Sequence, residues 1–156
     1  MLLFSINFSS YYFIITGKLK EAFNLEIRIF VFTVISAITI ITLNVKEMFP
    51  TIGEAIRHVS FTVSSIISTT GFSTVDFELW PELSRTIIVL IMFIGACAGS
   101  TGGGIKVMRI IILFKGMAKE LRVMIHPKQF KKITIDSHSV EHEVVRSVNM
   151  YMVCYI

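Results

Sequence analysis

Two stretches of this sequence carry residue types suited to chemistry, and in both the acting group is the backbone. The first is Thr69-Thr70-Gly71-Phe72, set in an uncharged run from Val59 to Val75 that is half hydroxyl: Ser60, Thr62, Ser64, Ser65, Ser68, Thr69, Thr70, Ser73 and Thr74. A glycine takes positive φ without a Cβ penalty. Gly71 therefore lets neighbouring carbonyl oxygens turn to one side, and a set of such oxygens replaces the hydration shell of a cation. The second is Gly95 to Gly104, GACAGSTGGG, which holds five of the chain's nine glycines. Each costs about 1 kcal/mol of helix relative to alanine, so a continuous helix through them is not expected. A glycine-dense break inside an apolar helix is costly and mobile. Both stretches have a plainer reading, because small and hydroxyl residues also pack helices closely.

Other chemistries fail on spacing. Gly99 to Lys106, GSTGGGIK, resembles a phosphate-binding loop, yet that pattern needs Lys directly after the last Gly and then Ser or Thr; Ile105 and Val107 stand there instead. Cys97 and Cys154 both lie in apolar surroundings and build neither a disulfide framework nor a four-ligand zinc site. His58, His126, His138 and His142 show no metal-ligand spacing. Asp76, Glu78 and Glu82 suit an outer mouth that concentrates cations, and equally suit a solvated surface. Lys106 reads as a snorkelling residue or one beside an ion path, and Trp80-Pro81 as an interfacial anchor.

The elements that must position these stretches are helical. Met1–Gly17 is uncharged but polar-studded, without the basic start and cleavage site of a signal peptide, and reads as the tail of a membrane helix. A cytoplasmic linker is expected over 18–28. Ile29 to Val45 is an uncharged run of 17 residues, about 26 Å as a helix and near the lower limit for a transmembrane span. Thr51-Ile52-Gly53-Glu54 matches a capping box, so a half-spanning helix is expected over 52–68, followed by a non-helical segment over 69–74. A broken transmembrane helix is expected over 83–117, interrupted by the loop 95–104. A cytoplasmic linker with a turn at His126-Pro127 and a short hairpin near Ile133 to Asp136 follows over 118–142, and the next membrane helix starts over 143–156.

Composition agrees with a membrane setting. Of the 156 residues 53% are hydrophobic and 17% charged, against about a quarter charged in soluble domains; the mean hydropathy is +0.72. Disorder is excluded by the abundance of aromatic and β-branched residues. Net charge is +4, unevenly spread: Lys106, Arg109, Lys115, Lys119, Arg122, Lys128, Lys131 and Lys132 stand against Glu120 alone, whereas the stretch from Lys46 to Arg85 has more acids than bases. The basic stretch follows an apolar segment and lacks interleaved aromatics, so it reads as a cytoplasmic loop and not as a nucleic-acid surface.

STTGFSTVDFELWP (Ser68 to Pro81) and MFIGACAGSTGGGIKVMRI (Met92 to Ile110), in this order, resemble the third of four pore repeats in the TrkH/TrkG/KtrB superfamily of potassium transporters, closest to the TrkH branch. NFSSYY (Asn7 to Tyr12) is similar to the end of the second repeat, EAIRHVSFTVSSI (Glu54 to Ile66) to the third pore helix, and LRVMIHPKQF (Leu121 to Phe130) to the linker before the fourth. The resemblance implies an all-α integral membrane fold, one helix, pore-loop, helix repeat of a four-repeat potassium-channel-like pore, here cut at both ends.

It further implies that Thr69, Thr70 and Gly71 supply one quarter of a filter, with K+ held at Thr70 and Gly71 only when the other repeats are present. Gly95, Gly99, Ser100, Thr101, Gly102, Gly103 and Gly104 would form the gating loop below it. The expected function is potassium uptake across a bacterial inner membrane by a multi-pass protein, passive or ion-coupled, without enzymatic chemistry and with K+ as transported ion, not cofactor. Membrane lipid, the remaining repeats, a second copy in a homodimer and a TrkA-like nucleotide-binding regulatory subunit at the basic segment are the implied partners. The alternative is a membrane packing or assembly fragment that conducts nothing.

Overall fold

The computed structural model describes residues 1–125, 134–136 and 138–155. It is predominantly helical and divides into two compact units, Met1–Val107 and Met108–Ile156.

In the first unit the chain opens with a 3-10 turn over Leu2–Ser5, followed by α1 (Phe8–Ile15), α2 (Leu19–Ala22) and α3 (Leu25–Val45). Residues 1–17 are therefore not the tail of one continuous helix. Asn7 interrupts them, its side chain accepting from the Ser9 N–H at 2.9 Å and starting α1 afresh. The linker expected over 18–28 contains α2 and the first turn of α3. α4 (Ile52–Ile67) starts at the expected cap, where the Thr51 hydroxyl accepts from the Glu54 N–H at 3.3 Å. α5 (Glu82–Ile94) follows a 3-10 turn at Phe77–Leu79, the third after Leu2–Ser5 and Lys46–Met48.

α3, α4 and α5 pack on one another. From α3 the core takes Phe30, Val34, Ala37, Ile41 and Val45, from α4 Ala55, Val59, Val63 and Ile67, and from α5 Ile88 and Ile91. Their three- and four-residue spacings give each helix one inward stripe. The Asn44 side-chain amide donates to the Ser84 hydroxyl at 2.9 Å and ties α3 to α5. The other face of α3 is apolar as well: Phe32 is 73% exposed, Leu43 63% and Ile35 58%. Among the described residues one helical stretch, Leu25–Met48, is long and apolar enough to cross a membrane. Trp80 is buried in this unit, 3% exposed, so it is a core side chain and not the interfacial anchor expected.

α6 (Val107–Ile125), which lies in the second unit from Met108 onward, runs past the expected helix end, so Lys119 and Arg122 lie on a helix and not in a loop. A two-residue antiparallel ladder, β1 (Thr134–Ile135) with β2 (His138–Ser139), stands where a short hairpin was expected near Ile133 to Asp136. α7 (His142–Tyr155) closes the unit. Lys115 Nζ donates to the Thr134 carbonyl at 2.8 Å, and the Arg109 guanidinium stacks over the Tyr151 ring at 3.9 Å. The His126-Pro127 turn, Lys128, Lys131 and Lys132 lie outside the described residues.

Candidate functional site

α4 ends in a Schellman arrangement that sets the geometry of the Thr69-Thr70-Gly71 turn. The Thr69 N–H donates to Ile66 O at 3.0 Å and the Thr70 N–H to Ser65 O at 2.8 Å, which satisfies carbonyls of the last helical turn. The residue between helix and turn must then be left-handed, a place usually held by glycine. Thr69 holds it at φ 56°. A β-branched residue in that region is strained, by about 1–3 kcal/mol, and its hydroxyl makes the compensating bonds: Oγ1 donates to Ser68 O at 2.7 Å and accepts the Gly103 N–H at 3.0 Å.

Gly71 follows at φ 80°, with its N–H on Ser65 O at 3.4 Å. Space around it is open, since an added Cβ would meet nothing within 4 Å. Its glycine is demanded by conformation alone. The N–H groups of Thr69, Thr70 and Gly71 are thus all directed back at α4, and no hydrogen bond among the described residues reaches their three carbonyl oxygens. All three residues are exposed. Beyond the turn, His58 Nδ1 and Thr74 Oγ1 are 2.8 Å apart, and the imidazole stacks on Phe49 with ring centroids 5.5 Å apart. This pair fastens the outgoing chain to α4.

The glycine-rich segment is a closed excursion. The chain leaves α5 at Ile94 and returns at Ile105–Val107, where N–H groups of Ile105, Lys106 and Val107 donate to the carbonyls of Phe93, Ile94 and Ala96 at 3.2, 3.1 and 3.1 Å. Carbonyls orphaned by the end of α5 are satisfied in this way. The neck is two backbones in contact: a Cβ on Gly95 would collide with the Gly103 carbonyl oxygen, and one on Gly104 would lie 2.9 Å from Gly95 Cα. Lys106 closes the neck in a left-handed conformation, φ 72°. It acts through its N–H, a role its side chain did not suggest.

Three separate parts of the unit accept the N–H groups of the loop's crown. Cys97 donates to Ser5 O at 3.0 Å and Thr101 to Phe4 O at 3.4 Å, while Gly99 O accepts from Phe8 N–H at 3.3 Å. The Thr101 hydroxyl also donates to Phe4 O at 3.3 Å. Gly103 reaches Thr69 as above, and Ala98 donates to Glu26 Oε1 at 2.6 Å. Ser100 stays local, its hydroxyl on Cys97 O at 2.6 Å. Gly102 is held against Ala96.

The sequence-derived residues therefore come together as two linked groups, the turn 69–71 and the loop 95–104, joined by the Thr69–Gly103 bond. Asp76, Glu78 and Glu82 do not join them among the described contacts: Asp76 caps its own 3-10 turn through the Glu78 N–H at 2.9 Å, and Glu82 pairs with Arg85 at 3.7 Å. Sequence reading missed Glu26, taken for part of a solvated linker, and the Phe4–Phe8 stretch. For Glu26 a signal existed: an acid two residues after Asn24, flanked by Leu25 and Ile27, at the start of an apolar helix.

Comparison with known proteins agrees with this architecture. Residues 3–156 match the family model TrkH, described as cation transport protein. The chain is 31% identical over 158 residues to the Trk system potassium uptake protein TrkG of Escherichia coli (strain K12), covering 99% of this chain and 32% of that protein. It is 37% identical over 103 residues to the Trk system potassium uptake protein TrkH of Halomonas elongata, covering 66% of this chain and 21% of that one. The crystal structure of the potassium transporter TrkH from Vibrio parahaemolyticus superposes with a TM-score of 0.85 at 29% identity, over 99% of this chain and 34% of that chain. The chain spans about a third or less of the length of these relatives. With the family model matched from residue 3 to the last residue, the chain belongs to the TrkH family of cation transport proteins.

Proposed function

We propose that this chain forms part of a membrane-spanning Trk-type transporter that takes up potassium, and that it contributes one repeat to the pore. Thr69, Thr70 and Gly71 supply filter carbonyls, the loop 95–104 lies beneath them as the gate, and K+ is the transported substrate. The observation that carries this reading is the hydrogen-bond pattern of the turn: every N–H from Thr69 to Gly71 is held by α4, and no hydrogen bond among the described residues reaches the three carbonyl oxygens. Oxygens from one repeat surround only one side of an ion, so Thr70 and Gly71 bind K+ when the other repeats complete the ring. α4 ends just before the turn, and its negative C-terminal end favours a cation there.

In this reading α3 is a transmembrane helix with a lipid-facing side of Phe32, Ile35 and Leu43, residues 1–17 end the preceding repeat, and α7 begins the following one. The protein resides in the bacterial inner membrane as a homodimer. A nucleotide-binding regulatory subunit of the TrkA kind docks on the basic segment from Lys106 to Lys132.

The test is rubidium uptake by the whole transporter carrying this segment, reconstituted in vesicles, with Gly71→Val against the parent. The added side chain has room but the wrong backbone preference, so uptake is expected to be abolished while the protein still assembles. Unaltered uptake would remove Gly71 from the filter. A parent that conducts nothing would favour the packing-fragment alternative.

A further inference from the structure

Glu26 is a charged residue buried to 2% exposure in the first turn of α3, 72 positions from the loop residue it contacts. Burial of a carboxylate is expensive unless hydrogen bonds hold it. Its Oε1 accepts the Ala98 N–H at 2.6 Å, a short bond. The first turn of a helix is also where a negative charge is favoured by unpaired N–H groups. Ala98 stands at the centre of the loop's crown, between Cys97, which is fully buried, and Gly99, whose backbone is left-handed. The neighbouring crown bonds, to Ser5 O and Phe4 O, are made to neutral carbonyls at 3.0 and 3.4 Å. Among the described bonds that tie the loop to other parts of the unit, the one to Glu26 is the shortest.

We propose that Glu26 is the latch of the glycine-rich loop: a positioning residue whose side-chain oxygen holds Ala98 and, through it, keeps the loop seated under the Thr69 turn. This deepens the gate assignment and rests on it for its meaning in transport, but the latch itself is a statement about the loop's conformation and is tested separately. Loss of the acceptor lets residues 96–101 lift away and exposes Cys97. A carbonyl oxygen at the same reach is sufficient, so the amide isostere retains the seat. Aspartate keeps the charge but withdraws the oxygen by one methylene.

The probe is the rate at which N-ethylmaleimide modifies Cys97 in the whole transporter in membrane vesicles, followed by mass spectrometry of the peptide that contains it. Parent and Glu26→Gln are expected to react slowly, within about twofold of each other. Glu26→Leu is expected to react about tenfold faster or more, the change that follows from leaving the Ala98 N–H without its acceptor, with Glu26→Asp in between. If Leu prevents assembly, the Asp and Gln variants decide. Asp and Gln rates alike and close to the parent would overturn the latch, as would a Gln rate equal to that of Leu, which would make charge and not the bond the cause. Rubidium leak through the same variants reports on the gate: leak rising with labelling supports it, whereas faster labelling at constant flux keeps the latch and overturns the gate.

Discussion

The turn at Thr69–Gly71 and the loop at Gly95–Gly104 both depend on glycine, for opposite reasons. At Gly71 the surroundings are empty and only the positive φ requires glycine. At Gly95 and Gly104 the neck brings backbone against backbone, so that a single methyl has no room. The turn is fixed from one side by a Schellman arrangement, and its strained member is a threonine whose hydroxyl reaches the loop. The loop is fixed by acceptors drawn from three places, residues 4–5, Glu26 and Thr69. A rigid element with exposed oxygens thus sits beside a compact element whose position depends on a few separable bonds. The proposed filter and gate would call for such a division of labour.

The largest effect should come from the neck. Gly95→Ala places a side chain in a glycine-only backbone region and against the Gly103 carbonyl; the two effects together amount to about 4 kcal/mol. Thermal unfolding of the whole transporter in detergent should show a large drop in midpoint, and a drop no larger than that of an exposed-helix substitution would mean the two backbones are not in contact.

A smaller effect separates strain from bonding at Thr69. Thr69→Val keeps the left-handed strain and loses the bond to Gly103, whereas Thr69→Gly loses both. The glycine variant is expected to be more stable than the valine variant by about 1–2 kcal/mol, with loop release, read as Cys97 labelling, similar in the two. Equal stabilities would say that Thr69 is not strained; slow labelling in both would say that its hydroxyl does not hold the loop.

The smallest concerns the scaffold shared by both regions. Ser84→Ala removes the bond to Asn44 between α5 and α3 and should cost about 1 kcal/mol without altering Cys97 labelling or rubidium flux. A change in either would show that helix packing and the loop are coupled.

Much of the fold was legible because it rests on local rules. The Thr51–Glu54 cap, the end of α4 before Gly71 and the break at Gly95 follow from capping chemistry and helix propensity, which act over a few residues. The errors were local as well: Asn7 restarts a helix inside a run that hydropathy reads as continuous, and α6 carries its basic residues past the point where charge density suggested a loop. Trp80 was misplaced because an amphipathic ring fits an interface and a core equally well until its neighbours are known.

By itself the amino-acid sequence determined that two glycine-dependent interruptions occur between apolar helices, which residues they contain, and which family of transport proteins they resemble. Only the tertiary structure decided what those interruptions touch. The Thr69–Gly103 bond spans 34 residues and the Glu26–Ala98 bond 72, and no periodicity or propensity carries information over such separations. They exist because α3, α4 and α5 bury their inner stripes together, and that packing brings the start of α3 and the end of α4 to one loop.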